Sequence, residues 1–183
     1  MCGRYHLGIK TDNKLAKQIS ERAQKLNLVY STGEIFPSNK VLCIIPNESK
    51  VDLSVMKWGI KSRSLIINAR VESITDRPTF NEIRNNRCAI ICDSFYEWDK
   101  DKNKYQISFE SDYVYLACIF NRQNELVILT RQASDEFKHI HSRMPIIMDK
   151  KEMLNYVHNK EDIFVDKKLF IKKVDGELSL LLI

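Results

Sequence analysis

The feature that most constrains the fold is a series of short apolar runs that follow one another along the sequence. Most are rich in β-branched or aromatic residues and are bounded by polar or turn-forming residues, which is typical of β-strands. Residues 110–112 and 121–125 lie between consecutive runs and are predicted to be hairpin loops. The runs cover residues 4–9, 41–45, 51–58, 87–92, 105–109, 113–120, 126–130 and 145–148.

Helical periodicity is confined to a few places between these runs. The first helix is predicted over residues 11–26, with Thr11 or Asp12 as its N-cap. A short helix is predicted to start near Pro78, since proline is accepted in a first helical turn. A third is predicted over residues 149–157, where the first residue can form a capping box.

Short strands in series with few helices, and without βαβ alternation, predict an α+β fold. We expect one domain over residues 1–183, with a mainly antiparallel, curled or barrel-like β-sheet and flanking helices. A composition of 44% hydrophobic and 29% charged residues is not that of a disordered chain. Residues 113–121, the longest uncharged stretch near the middle, are far shorter than the roughly 20 apolar residues of a membrane helix. No apolar run follows Met1, so we expect neither a signal peptide nor a membrane partner.

The charge and the cysteines narrow the function only slightly. A net charge of +5 permits a polyanionic partner without requiring one. An odd count of five cysteines with no signal peptide predicts free thiols in a reducing compartment. Cys88 and Cys92 do not have the usual two-residue spacing of a zinc site, and no His or Cys pair complements them. No metal is therefore expected. Four cysteines lie in apolar runs and are expected to act as small core residues: Cys43, Cys88, Cys92 and Cys118.

Cys2 has a chemistry that the other four cysteines lack. Removal of Met1 would leave its thiol beside a free α-amine, whose pKa of about 8 makes it a far better nucleophile at neutral pH than lysine. Such an aminothiol traps an aldehyde twice, first as an imine and then as a five-membered thiazolidine closed by the sulfur. The alternative is that a cysteine after Met1 is accidental, and this motif alone does not decide between them.

Two polar motifs in the middle of the chain have both functional and structural interpretations. In residues 67–72, Asn68 can orient a carbonyl or hold a thiol and Arg70 suits a phosphate, but for this motif alone a turn with solvated polar residues is the better explanation. In residues 95–98, aromatic neighbours would desolvate Glu97 and raise its pKa toward the range of a general acid–base group. The same rings could stack on unpaired bases; the alternative is an ordinary aromatic core with Glu97 in water.

A third motif includes His141, which titrates near neutrality and can shuttle a proton. Arg143, two residues later, can bind phosphate. A single histidine is more often structural, and His139 competes for the same role.

Six motifs occur in one order along the chain: Met1-Cys2-Gly3-Arg4-Tyr5, Trp58-Gly59, Asn68-Ala69-Arg70 with Glu72, Arg87-Cys88, Phe95-Tyr96-Glu97-Trp98 and His141-x-Arg143-Met144-Pro145. Together they closely resemble the SOS response-associated peptidase (SRAP) family. They extend from the N-terminus to Pro145, so the resemblance covers most of the chain.

The resemblance implies a β-rich α+β domain with a basic groove for single-stranded DNA, and a covalent reaction. Cys2, once processed, would attack the ring-opened aldehyde at C1′ of an abasic site and end as a stable thiazolidine that shields the lesion. Asn68 would hold the Cys2 end and the opened sugar. Glu97 would act as acid and base and assist reversal of the crosslink, and His141 would promote ring opening and imine formation.

The resemblance also implies the setting of this reaction. The partner would be single-stranded DNA with abasic sites, bound by a cytoplasmic monomer that joins the nucleoid on DNA, and no cofactor is required. The chain would be an enzyme of slowly reversible crosslinking, with lyase-type chemistry. The implied groove residues are Arg4, Pro37, Trp58, Arg70, Tyr96, Thr130 and Arg143.

The chain departs from the family pattern in two places. The family usually has a Tyr-Asn-x-Ala-Pro-like stretch where this chain reads Glu34-Ile35-Phe36-Pro37-Ser38, so only the proline is kept. The usual glycine before the Phe-Tyr-Glu-Trp motif is Ser94 here. The last residues, 178–183, are predicted to form a terminal strand or a packing tail.

Two other functions fit the same residues. The first is a thiol peptidase with Cys2 as nucleophile and His141 as base, which in its narrowest form would cleave only its own Met1–Cys2 bond. The second is a non-covalent single-strand-binding module, which would bind intact and abasic strands equally and in a salt-dependent way.

Overall fold

The computed structural model describes residues 2–9, 13–160 and 164–174. The helices in these ranges are α1 (Lys14–Lys25), α2 (Pro78–Asn81) and α3 (Lys150–Val157), with a 3-10 turn at Val71–Ser73. The strands are β1 (Arg4–Leu7), β2 (Gly33–Ile35), β3 (Lys40–Asn47), β4 (Lys50–Trp58), β5 (Ile60–Lys61), β6 (Leu65–Ile66), β7 (Asn68–Arg70), β8 (Arg87–Cys92), β9 (Ser94–Trp98), β10 (Lys104–Phe109), β11 (Val114–Phe120), β12 (Glu125–Gln132), β13 (Arg143–Pro145), β14 (Ile147–Met148) and β15 (Leu169–Val174).

Five strands close into a barrel. β4 pairs with β3, β3 with β8, β8 with β11 and β11 with β12, all antiparallel. β12 then pairs in parallel with β4, so the ring returns to its first strand. β7, β13 and β14 extend the barrel wall beside β12 and β11. The α+β class and the curled, mainly antiparallel sheet predicted from the sequence are therefore confirmed.

A second, antiparallel sheet carries the N-terminal end of the chain. Its order is β15-β10-β9-β1-β2, so β1 lies between β9 and β2. Tyr5 and Leu7 of β1 are buried, whereas Arg4 and His6 alternate with them on the outer face. This sheet thus places Cys2, just before β1, in the buried core.

The core explains the internal cysteines. Cys43, Cys88, Cys92 and Cys118 are all fully buried and reduced, as predicted, and all four lie on barrel strands, the first on β3, the second and third on β8 and the fourth on β11. Burial raises the pKa of the Cys88 thiol well above its ordinary value. These thiols are packing groups and not reactive ones.

The helix predictions are largely confirmed, with one correction at a cap. The N-cap of α1 is Asn13, whose side chain accepts hydrogen bonds from the backbone N–H groups of the first helical turn. The predicted caps Thr11 and Asp12 lie outside the described residues. Asp149 caps α3 in a full capping box, and Pro78 begins α2 as expected. In the described ranges no helix is long and apolar enough to span a membrane.

One of the two predicted hairpins is wrong. Residues 121–125 do connect the antiparallel pair β11 and β12. Residues 110–112 instead lead from β10 in the small sheet to β11 in the barrel, because β10 pairs with β9 and β15. The predicted terminal strand at 178–183 lies outside the described residues.

Candidate active site

Cys2 is buried, and its backbone is held by a hydrogen bond from Asn68. Its side chain has no exposed surface, and the side-chain amide of Asn68 donates a hydrogen bond to its carbonyl oxygen at 2.9 Å. Asn68 reaches this position because β7 pairs in parallel with β12, with Asn68 opposite Ile128. The Asn68 Oδ1 atom is buried and has no hydrogen-bond partner in the described part of the chain. It is an acceptor directed at the same buried region.

Glu97 acts electrostatically on the Cys2 thiol. Arg4 on β1 lies opposite Tyr96 on β9, so continuing the register places Glu97 across from Gly3, next to Cys2. Glu97 itself is buried. Burial, and then the negative charge of Glu97, raise the pKa of the Cys2 thiol far above its ordinary value. The thiol therefore stays protonated at neutral pH in this environment.

His141 stands just before β13 with its ring orientation fixed. The backbone N–H of Arg143 donates to Nδ1 of His141 at 2.9 Å. The same Nδ1 atom lies 3.1 Å from the backbone carbonyl oxygen of Arg143, so the backbone of Arg143 holds the ring through both its N–H and its C=O. The ring is half-buried, so it is accessible for proton transfer.

Three of the predicted groove residues meet around Thr130. Arg70 is exposed and lies opposite Thr130 across the β7–β12 pair. Arg143 donates to the Thr130 carbonyl at 2.6 Å and makes two hydrogen bonds of 2.8 Å to the carboxylate of Glu72. Thr130 itself is fully buried and donates to the carbonyl of Ala69 at 3.3 Å. Thr130 thus binds Arg143 directly and adjoins Arg70 through the pairing of β7 with β12.

Arg4 forms a second cationic group on the outer face of the small sheet. Its guanidinium lies 4.3 Å from the ring centroid of Phe36 and 5.0 Å from that of Trp98. Its Nη1 atom donates to Glu34 at 3.3 Å, and Lys104 donates to the same carboxylate oxygen at 2.7 Å. The Lys104 ammonium also stands 4.2 Å from the ring of Tyr96, which was among the predicted groove residues.

Two predicted groove residues have different surroundings. Trp58 is fully buried, packs 5.5 Å from the ring of Tyr5, and donates its indole N–H to the carbonyl of Ile67 at 3.0 Å. In this structure its side chain is part of the core and does not face solvent. Pro37 is half-buried in the turn after β2, beside the exposed Phe36.

The structure therefore brings the predicted residues together in three groups. Cys2, Asn68 and Glu97 form the buried group, Thr130 joins Arg70 and Arg143, and Arg4 joins Tyr96. Sequence reasoning missed Glu34 and Lys104, which are far apart in the chain. Prediction of β9 and β10 as a register-matched pair would have found Lys104, since it lies opposite Trp98. Across the described ranges, no three His, Cys, Asp or Glu side chains are grouped so that they could hold a metal ion.

The fold and site define a β-barrel protein with a buried cysteine at the second position and arginines on the adjoining surface. The chain belongs to the SOS response associated peptidase (SRAP) family, whose model matches residues 1–180. The family resemblance predicted from the sequence is thereby confirmed.

Named relatives and solved structures agree with this family. The abasic site processing protein YobE of Bacillus subtilis is 29% identical over 180 residues, covering 85% of this chain and 82% of the relative. The abasic site processing protein YoqW of Bacillus phage SPbeta is 28% identical, covering 85% and 80%. A crystal structure from Bacteroides thetaiotaomicron has a TM-score of 0.74 at 17% identity, covering 96% of this chain and 93% of that one. One from Bordetella bronchiseptica has a TM-score of 0.73 at 16% identity, covering 96% and 100%. At these identities the two structures show the fold alone.

Proposed function

We propose that this protein acts on abasic sites in single-stranded DNA and captures them covalently through Cys2 after removal of Met1. The observation that carries the proposal is the buried group of Cys2, Asn68 and Glu97 at the start of β1. The names of the Bacillus relatives support abasic sites as the substrate. The arginines beside the site supply charges suited to a DNA backbone.

The reaction begins with the α-amine of processed Cys2. Its neutral form attacks the C1′ aldehyde of the ring-opened sugar, a C–N bond forms, and water leaves to give an imine. The thiol then adds across the C=N bond: sulfur bonds to C1′ and the thiol proton ends on nitrogen, closing a thiazolidine. The balance is one water lost per crosslink, with no oxidant or reductant.

The surroundings of Cys2 favour this order of events. Burial and Glu97 raise the pKa of the thiol, so little thiolate is present at neutral pH. An α-amine with an ordinary pKa of about 8 is partly neutral there. The amine is thus the first nucleophile, and the thiol acts second, when it is held next to the imine carbon.

Asn68, Glu97 and His141 have separate roles in the proposal. Asn68 fixes the Cys2 carbonyl and offers its unpartnered Oδ1 to the amine or to a sugar hydroxyl. Glu97 carries protons for the departing water and for the nitrogen. His141, whose ring is held by the backbone of Arg143, promotes opening of the sugar ring.

The same thiol environment weighs against a general thiol peptidase. A cysteine peptidase needs a thiolate, which forms where positive charge or a metal lowers the pKa. Here burial and a carboxylate act in the opposite direction. One-time removal of Met1 by the protein itself remains an outcome that the intact mass of the purified protein will detect.

The test is incubation of the Met1-free protein with a single strand that carries one abasic site, followed by a denaturing gel. The expected result is a heat-resistant adduct in the wild type and in Cys43→Ala, a matched control that removes another buried thiol. Cys2→Ala keeps the α-amine, so it should give an adduct only when borohydride traps the imine. Absence of a wild-type adduct, or a stable adduct with Cys2→Ala, would refute the proposal. Equal binding of intact and abasic strands without an adduct would identify a non-covalent module.

A further inference from the structure

Glu34 lies between two cations on the outer face of the small sheet. Arg4 and Lys104 donate to the same carboxylate oxygen, Oε1, at 3.3 Å and 2.7 Å. The three side chains come from β2, β1 and β10 and are only about one quarter to one third exposed, at 33%, 27% and 26%. One carboxylate therefore pairs with two positive charges at a solvent-accessible point and offsets only one of them.

Aromatic rings hold both cations in place. Arg4 stands over Phe36 and Trp98, and Lys104 stands over Tyr96 at 4.2 Å. Phe36 is 41% exposed, so its ring also faces solvent. Cations for phosphates together with rings for bases are the composition of surfaces that bind single-stranded nucleic acid. Here that surface already contains an anion, the Glu34 carboxylate.

The position of this surface relates it to the reactive end of the chain. Arg4 is two residues from Cys2, which at the rise of an extended strand is about 7 Å along the backbone. That is within one nucleotide of the residue that would be crosslinked. Glu34 also stands in the stretch where the chain departs from the family pattern.

We propose that Glu34 is an internal competitor that occupies the phosphate site of Arg4 and Lys104 and that a phosphodiester of single-stranded DNA displaces it. This inference rests on the proposed function for its ligand. It goes beyond that function by assigning Lys104 as a DNA contact and Glu34 as a residue that limits affinity for undamaged strands. With weak binding to intact strands, the protein would remain on DNA only where the covalent step occurs, and not wherever the charge of the DNA backbone attracts it.

The test is equilibrium binding of the full-length protein to a fluorescent single strand without abasic sites, over a series of salt concentrations. Glu34→Gln should bind the strand about three- to tenfold more tightly than the wild type, because it lacks the carboxylate that competes through two weak surface ion pairs. Lys104→Gln should bind about three- to tenfold more weakly. It should also lower the salt slope by about 0.7, the value for one phosphate contact on a single strand.

Asp52→Asn is the matched control. It removes the same charge from a carboxylate that is paired with Arg22 at 2.7 Å. Asp52 lies on β4 six residues before Trp58, which is about 20 Å along the strand. Its affinity should equal that of the wild type. Glu34→Gln binding no more tightly than Asp52→Asn, or Lys104→Gln keeping the wild-type slope, overturns the inference.

The adduct experiment separates this inference from the proposed function. If neither the wild type nor any variant binds the intact strand, but the abasic strand still gives a Cys2-dependent adduct, only the inference fails. If neither binding nor an adduct is found, both fail.

Discussion

Asn68 and Cys2 are joined by a buried hydrogen bond of 2.9 Å from the side-chain amide of one to the backbone carbonyl of the other. The bond ties β7 of the barrel wall to the segment that leads into β1 of the small sheet. It fixes the Cys2 backbone, and with it the direction of any α-amine at that position. Placement of a nucleophile in this way is what converts a slow bimolecular condensation into a fast one.

Replacement of Asn68 should slow crosslinking more than it affects folding. Asn68→Ala removes the hydrogen bond to Cys2, and we expect adduct formation to slow about fivefold, since a buried hydrogen bond contributes about 1 kcal/mol. Asn68→Asp should be slower still, because a carboxylate would repel the Cys2 carbonyl. Rates from gel time courses check this, with urea unfolding as the control. A folded Asn68→Ala protein with the wild-type rate would contradict the role.

Removal of the Glu97 charge should have opposite effects on the thiol and on the reaction. In Glu97→Gln the pKa of the Cys2 thiol should fall, since the negative charge that helps to raise it is gone. Crosslinking should nevertheless slow by about 10²-fold or more, because the proton carrier is lost. The pH–rate profile of adduct formation measures this. Glu136→Gln, an exposed carboxylate on the surface, is the control and should behave as the wild type; equal rates for both variants would exclude Glu97 from catalysis.

The ion pair of Glu72 with Arg143 should make stability depend on pH in the acid range. The hydrogen bonds from Arg143 hold the pKa of the Glu72 carboxyl below its ordinary value of 4.5. A carboxyl with a lowered folded pKa stabilises the protein above its ordinary pKa, and this stabilisation is lost as the pH falls through the folded value. Glu72→Gln should therefore cost about 0.5–1 kcal/mol at neutral pH, a small value because Glu72 is half exposed.

Urea unfolding at several pH values checks this prediction. The difference between wild type and Glu72→Gln should be constant near neutrality and shrink below pH 4.5. A difference that grows as the pH falls would contradict the sign of the effect.

Two glycines offer a matched test of backbone strain. Gly59 has φ +115°, and a Cβ there would lie 2.7 Å from Leu65. Gly33 has φ +76° and an open environment within 4 Å. Gly33→Ala should cost about 1 kcal/mol for the left-handed conformation alone, whereas Gly59→Ala should cost about 2–3 kcal/mol because steric overlap is added. Chemical denaturation of both variants checks the order, and equal costs would contradict it.

The sequence predicted the barrel strands well because they are long, apolar runs, as in β8 and β11. It missed short or polar strands such as β2, β7 and β9, which are strands only because neighbours pair with them. It also misassigned residues 110–112 because it could not show that the chain changes sheets there. Tertiary pairing, and not local propensity, decides these segments.

The site was predictable in its residue types but not in its partners. The motifs identified Cys2 and Asn68, and the structure shows that they are hydrogen-bonded. The pairing of Glu34 with Lys104 follows from the register of β10, β9, β1 and β2 and from no local signal. Trp58 was expected in the groove, yet its burial against Tyr5 reflects the packing of two elements that are distant in sequence.

Mass spectrometry of the crosslinked protein after digestion tests directly whether Cys2 closes a thiazolidine on an abasic site. We expect Met1 to be absent and the N-terminal peptide beginning at Cys2 to carry the sugar remnant with the loss of one water. A remnant attached to a lysine or to another cysteine, or an N-terminal peptide that is unmodified in the adduct, would contradict it.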